Sequence, residues 1–314
     1  MKVLGKAEIL QAFRPALALR LLREGFIAYS AGQVQLPPVQ HFGFDAGQGD
    51  CCIKSGYLDG DDLFAVKVSA GFYHNQQHGL ANNQGLIMTF SARTGAPQAL
   101  LLDEGVLTGL RTALTGRLVA EVMAPLRVDA IGVLGTGLQA RLQLEALHEA
   151  LPCRRVWVWG KSETELARFI KPFAEQGYDM RPTLDAREVA RHCQYIVCCT
   201  PSTSPLLQAE WIAPGTHITA LGADAVGKQE LATELVVRAD VLVADSVEQC
   251  TGFGELQHAF AAGLIDVGRV RELGTVLAGR QPGRGRPDDI TIADLTGLAI
   301  QDVQIAKSVL LALG

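Results

Sequence analysis

Much of what this sequence lacks is informative. No stretch approaches the roughly 20 apolar residues needed to cross a bilayer, and Met1 to Leu10 holds no continuous apolar run of signal-peptide type. No block of like charge occurs, and the net charge is only −5, which argues against nucleic acid or an anionic membrane surface as the main partner. There is no CxxC pair. The seven cysteines are odd in number and include two adjacent pairs, Cys51-Cys52 and Cys198-Cys199, a pattern of reduced thiols in a cytoplasm rather than a disulfide framework. His74 and His78 have the spacing of a zinc helix but no glutamate follows His74, and glycines around them suggest a loop, so no metal site is expected. A GxSxG elbow is also missing, which removes the usual signature of an α/β-hydrolase nucleophile.

At 314 residues the chain is long enough for two cores. Residues 7 to 22 read as an amphipathic helix. Short β-like runs follow at Gly25 to Tyr29, Gln33 to Leu36, Leu63 to Ser69, Leu86 to Ser91 and Gln98 to Leu102, divided by turns such as Asp59-Gly60 and Thr94-Gly95. A helix is expected from Val106 to about Met123, with Pro125 ending it. Then the rhythm changes. Strand-like runs at 129–134, 155–159, 194–199, 217–222 and 241–245 alternate with helical segments at about 138–150, 163–176, 185–191 and 229–237. Alternation of this kind predicts an α/β fold, a Rossmann-type, doubly wound parallel sheet. Gly279 to Pro287 is a loop; a last strand-like run, Ile290 to Leu295, leads into a helix from Gly297. That tail is expected to return to the first region. The division is then 1–117 with 296–314 as a discontinuous α+β domain, and 118–295 as the dinucleotide-binding domain.

The run Ala130 to Leu134 passes straight into Gly135-Thr136-Gly137-Leu138-Gln139-Ala140 and a helix. In this GxGxxA turn, Gly135 permits the tight bend, Gly137 lets the backbone approach a pyrophosphate, and Ala140 lets helix and strand pack closely. The anion sits at the helix N-terminus, where N–H groups and the dipole favour it. At the end of the next strand an Asp or Glu normally binds the ribose 2′-hydroxyl of NAD. Here the chain reads Gly160-Lys161-Ser162. Lys161 and Ser162 suit a 2′-phosphate instead, so NADP(H) is favoured over NAD(H).

Several motifs together resemble the ornithine cyclodeaminase/mu-crystallin family over nearly the whole chain. They are Phe64-Ala65-Val66-Lys67-Val68, Leu107-Thr108-Gly109-Leu110-Arg111-Thr112-Ala113, the glycine turn, Gly222-Ala223-Asp224-Ala225-Val226-Gly227-Lys228-Gln229-Glu230-Leu231, and Gly297-Leu298-Ala299-Ile300-Gln301-Asp302. The resemblance implies a Rossmann domain and a discontinuous domain that binds substrate and makes a homodimer. It implies catalytic roles for Lys67 and Asp224, and a carboxylate-gripping role for Arg111 with Lys67. It implies cofactor contacts from Asn82, Arg111, Thr112, Leu138, Gln139, Thr200, Leu221, Gly222 and Lys228, beside Gly135, Gly137, Ala140, Lys161 and Ser162. Two departures stand out. A second carboxylate-binding arginine is absent near Pro37-Pro38-Val39-Gln40-His41, leaving Gln40, His41 or Lys54 to substitute. A late serine near the nicotinamide is replaced around Leu295-Thr296, so Thr296 is expected in its role.

Physical chemistry agrees with the first set of roles. A guanidinium fork matches a carboxylate bidentately. A lysine within an apolar strand needs a partner, and burial lowers its pKa towards the range suited to proton transfer. Asp224 follows the apolar run His217 to Leu221, at the strand end where ligands bind in open α/β sheets. Asp302 reads as structural, or as shaping the pocket from the last helix. The expected activity is hydride transfer at the C–N bond of a small imino or amino acid, of ketimine or cyclic imine reductase type. The alternatives are amino-acid dehydrogenation, an ornithine or lysine cyclodeaminase that releases ammonia and recycles its cofactor, and a crystallin-like binder of NADPH without turnover.

Overall fold

The computed structural model describes residues 1–45, 48–72 and 74–314. The chain divides into two compact units, Met1–Leu114 with Leu298–Gly314, and Thr115–Gly297.

The first unit begins with β1 (Lys2–Gly5), α1 (Lys6–Ala12) and α2 (Pro15–Ser30). The single helix expected over 7–22 is therefore two. Pro15 lacks an N–H and forces Arg14 into an extended conformation, which breaks the first helix and starts the second. The strand expected at Gly25 to Tyr29 is instead the end of α2. Its apolar residues belong to a helical stripe, Ala18, Leu21, Leu22, Gly25 and Phe26, and all are buried. Next come β2 (Val34–Gln35), β3 (Gln40–Phe44), β4 (Gly49–Leu58), β5 (Leu63–Phe72), β6 (Asn83–Ser91) and β7 (Pro97–Leu102), then α3 (Val106–Met123), which belongs to this unit as far as Leu114. The sheet order is β1-β7-β6-β5-β4-β2, with β3 also pairing β4. Only β1 with β7 is parallel; the rest is antiparallel.

Strand alternation gives this sheet two unlike faces. One carries Leu63, Ala65, Lys67, Ile87, Thr89, Ala99 and Leu101, all buried. The C-terminal helix, Ala299–Leu313, covers it: a side chain at Gly56, opposite Ala65, would press on Val303. The other face carries Ile53, Tyr57, Phe64, Val66, Val68, Leu86, Met88, Phe90 and Leu100, none of them buried in the single chain. Phe64 and Phe90 stack there at 5.0 Å.

The second unit contains β8 (Ile131–Leu134), α4 (Leu138–Leu147), β9 (Arg155–Trp159), α5 (Glu163–Glu175), β10 (Asp179–Thr183), α6 (Ala186–His192), β11 (Tyr195–Cys198), β12 (Thr203–Leu207), β13 (His217–Ala220), β14 (Gln229–Leu231), α7 (Thr233–Arg238), β15 (Val241–Ala244), α8 (Val247–Cys250), α9 (Leu256–Ala261), β16 (Val270–Glu272), α10 (Leu273–Leu277) and β17 (Thr291–Asp294). Eight strands form one parallel sheet in the order β10-β9-β8-β11-β13-β17-β15-β16. The order runs outward in both directions from β8 and β11, the doubly wound plan, with its switch point between them. Most of its strands are buried on both faces, as a parallel sheet between helices requires. β12 and β14 form a separate parallel pair.

Candidate active site

In the first unit, Lys67 on β5 and Arg111 on α3 meet a carboxylate on the C-terminal helix. Lys67 Nζ lies 2.8 Å from Asp302 Oδ2, and Arg111 Nε donates to Asp302 Oδ1 at 3.1 Å. Arg111 Nη1 also donates to Gln301 Oε1 at 2.6 Å, and the same amide oxygen accepts the Leu298 N–H at 3.1 Å. Lys67, Arg111 and Asp302 are 3%, 7% and 2% exposed, so these charges are held almost out of water. Burial lowers the Lys67 ammonium to about 8; Asp302 opposes that shift, while Arg111 and Lys54 reinforce it. Burial also resists ionisation of Asp302, but Lys67 and Arg111 outweigh it and hold the carboxyl below its usual range. Two cations thus face one internal anion, which leaves a positive excess suited to a substrate carboxylate.

Strand register sorts the substitutes for the absent arginine. Lys54 lies directly opposite Lys67, and His41 is opposite Cys52 on that same face. Gln40 is opposite Ile53, whose cross-strand partner is Val68, so it belongs to the sheet's other face, away from Lys67, and the expectation that it joins Lys67 is corrected. Thr296 is buried in the second unit, where its hydroxyl donates to Asp245 Oδ1 at 2.9 Å and accepts from Gln249 Nε2 at 2.7 Å. Both hydrogen-bonding directions serve internal structure. Asp224 is not the carboxylate gathered by Lys67 and Arg111. Its side chain is 55% exposed and takes an ion pair from Lys228 at 2.6 Å. Thr112 bonds back to Thr108 O within α3 at 2.9 Å, and Asn82 is half-buried with its Oδ1 shielded from water.

The glycine turn of the second unit has the features of an anion cradle. Gly135 has φ +119°, which suits glycine, and a side chain there would press on the Cys199 carbonyl. Gly137 caps α4 without a side-chain cap, and a Cβ on it would meet nothing within 4 Å. The backbone is therefore open to a close approach just where the helix amides begin. Ala140 is fully buried, Gln139 is half-buried and Leu138 is exposed. At the end of β9, a Cβ on Gly160 would lie 2.9 Å from the Thr136 methyl, so the turn and this strand end pack closely. Lys161 is exposed, whereas the Ser162 hydroxyl accepts the Glu165 N–H as the cap of α5. Leu221 and Thr200 are buried at the ends of β13 and β11. These residues fit a dinucleotide: a glycine approach, an uncapped ten-residue helix and strand ends at the switch point.

The family profile described as ornithine cyclodeaminase/mu-crystallin matches residues 2–311. The chain belongs to that family. A Rhizobium meliloti relative bearing a dehydrogenase name is 40% identical over 311 residues, covering 98% of this chain and 94% of the relative. Among solved members of the family fold, an archaeal alanine dehydrogenase dimer with bound NAD superposes with TM-score 0.91 at 33% identity, over 99% of this chain and 95% of that one. The iminosuccinate reductase of Paracoccus denitrificans, in complex with NAD+, also gives 0.91, at 32% identity and over 99% and 96% of the two chains. Among the described residues, no helix is long and apolar enough to cross a membrane, and no cluster of three or more His, Cys, Asp or Glu residues is placed to hold a metal.

Two groups of site residues escape sequence reasoning. Gln301 and Asp302 stand within one of the family-like motifs, yet the motif suggests only a pocket-shaping or structural role for Asp302. Their signal is polar residues in a helix whose positions 299–306 are all buried. Glu230 stands within another of those motifs with no role attached to it, and Glu255, just before a short helix, carries no sequence signal.

Proposed function

We propose that this chain is a nicotinamide-dependent reductase of small imino acids, acting at a C=N bond beside a carboxylate. The observation that carries the reading is the buried ammonium and guanidinium gathered on Asp302, with more positive than negative charge. Reduced nicotinamide, when bound, supplies hydride to the imine carbon. Arg111 holds the substrate carboxylate through its planar fork, and Asp302 fixes the directions of both Arg111 and Lys67. Lys67, lowered to about 8, gives a proton to the imine nitrogen near neutral pH and takes it back in the oxidative direction. Lys54 is the proposed replacement for the absent arginine. Asp224, with Lys228, is proposed to act from the end of β13 as a second proton carrier.

The cofactor cradle comprises Gly135, Gly137, Leu138, Gln139, Ala140, Thr200, Leu221, Gly222 and Lys228, all of the second unit. NADP(H) is favoured over NAD(H) because Gly160 supplies no acidic side chain and Lys161 supplies charge. The two solved structures described above hold NAD, so the proposed preference rests on the strand end of this chain alone. A cytoplasmic homodimer is proposed, with the sheet face of Ile53, Phe64, Val66, Val68, Met88 and Phe90 covered by a second copy. The first unit would then serve substrate binding and dimerisation.

The direct test mixes the protein with NADPH, or NADH, and a cyclic ketimine such as 1-piperideine-2-carboxylate while absorbance of the reduced cofactor is followed. Loss of absorbance dependent on the ketimine is expected. Ornithine-dependent ammonia release without net cofactor change would replace this reading with a cyclodeaminase.

A further inference from the structure

Glu230 lies fully buried on β14, and its side-chain bonds all run to two strand ends. Oε1 accepts the Thr200 N–H and the Thr200 hydroxyl, each at 2.7 Å. Oε2 accepts the Gly222 N–H at 3.1 Å. Thr200 follows β11 and Gly222 follows β13, neighbouring strands of the parallel sheet. Glu230 is itself fixed: its own N–H and that of Leu231 go to the two oxygens of Glu255, both at 2.8 Å. Asp294, at the end of β17, accepts the Leu256 N–H at 3.0 Å and that of Glu255. A side chain on Gly222 would collide with the Thr200 backbone and the Glu230 carboxylate, so the two strand ends are packed to backbone contact through this group.

A carboxyl group is a poor choice for filling a core, because burying it costs more than burying a hydrocarbon of like size. Its value here is that one rigid group can accept several N–H bonds and set two loops in fixed relation. We propose that Glu230 is a positioning residue for the dinucleotide site: it locks the Thr200 and Gly222 backbones into the floor that the cofactor meets, without touching the cofactor. This rests on the dinucleotide reading of the second unit. The carboxylates of Asp224 and Glu255 and the thiols of Cys198 and Cys199 bear electrostatically on Glu230. Burial above all raises the group to about 8, against the bonds from Thr200 and Gly222, which favour its ionised form.

The test compares the full-length chain with Glu230→Gln and Glu230→Asp by amide hydrogen exchange and by titration of tryptophan fluorescence with NADH and NADPH. In Glu230→Gln, exchange in peptides covering 199–203 and 220–224 should rise at least tenfold while β8, β9 and β15 stay protected. The dissociation constant of the better cofactor should rise at least tenfold, and Glu230→Asp should restore part of both losses. Uniformly faster exchange across the second unit would make Glu230 a general core residue and overturn the proposal. So would unchanged cofactor affinity with loosened loops. Should Glu230→Gln fail to fold, Glu230→Asp is measured in the same two ways: loosening confined to the two loops with weaker cofactor binding supports the clamp, and either of the contrary results overturns it. A wild-type chain that binds neither cofactor would defeat the dinucleotide reading, a result separate from the exchange pattern.

Discussion

In the first unit Lys67 and Arg111 are buried against the side chain of Asp302, whereas in the second Glu230, Glu255 and Asp294 are buried against backbone N–H groups. The first arrangement keeps its charges. Asp302 is held ionised by two cations, and its bonds are to groups that a substrate anion also attracts. The second suppresses charge. Glu230 is pushed up to about 8 and Asp294 to about 7, both chiefly by burial. An ion-paired cluster with an excess of one sign is built to receive a ligand of the other sign. Carboxyl groups seated on amides are built to hold chain segments still. On the proposed reading, the difference separates a buried acid that orients reacting groups from buried acids that hold backbone in place.

The largest effect expected from this contrast is in activity. Replacing Lys67 by Met removes the proton carrier, and kcat/KM for ketimine reduction should fall by about 10²–10⁴. Steady-state kinetics with cofactor binding measured alongside will show the loss without a matching loss of cofactor affinity. Asp302→Asn should act on stability instead, leaving two buried cations short of their counter-charge and costing about 3–5 kcal/mol in urea unfolding. Arg111→Lys keeps the charge and loses the fork. KM for the imino acid should rise roughly 10-fold or more, following the loss of about 1.5–3 kcal/mol in a charged hydrogen bond. At the cofactor end, Lys161→Ala should weaken NADPH by a few-fold and leave NADH unchanged, in line with the modest worth of about 0.2–1 kcal/mol for an exposed charge pair.

The smallest effect is thermodynamic. Glu230, raised from 4.5 to about 8, contributes stability that is complete below pH 4.5 and lost as pH rises through 8. Lys67, lowered from 10.5 to about 8, contributes stability that is complete above 10.5 and lost as pH falls through 8. Raising the pH from 7 to 9 should therefore loosen the second unit relative to the first. Pulse proteolysis with peptide mapping at the two pH values will show this as relatively more cleavage within 115–297. A shift towards the first unit would break the comparison.

Much of the architecture is legible in the sequence. Parallel strands buried on both faces stand out as apolar runs, and β8, β9, β11, β13, β15 and β17 fall within a few residues of those runs. The glycine turn is legible because its chemistry is local. β1, β3, β4 and β10 are not, since their sequences are polar or irregular; β1 also takes its partner, β7, from far along the chain, whereas β3 and β4 pair with their sequence neighbours. Gln40 suits a carboxylate by composition, but only register decides a face, and one residue's shift reverses it. Asp302 is hidden for a related reason: its partners lie 235 and 191 residues earlier, and nothing in the sequence near it announces them.

The chemistry proposed for the first unit turns on Lys67, poised by burial and by Asp302, moving the substrate proton. The pH dependence of kcat/KM for ketimine reduction tests this most directly in wild type and in Asp302→Asn. Protonated Lys67 is the donor, so wild-type activity should fall as pH rises through about 8. Removing the negative charge of Asp302 should move that fall to lower pH by about one unit or more. A fall that stays at the same pH in the variant would contradict the account.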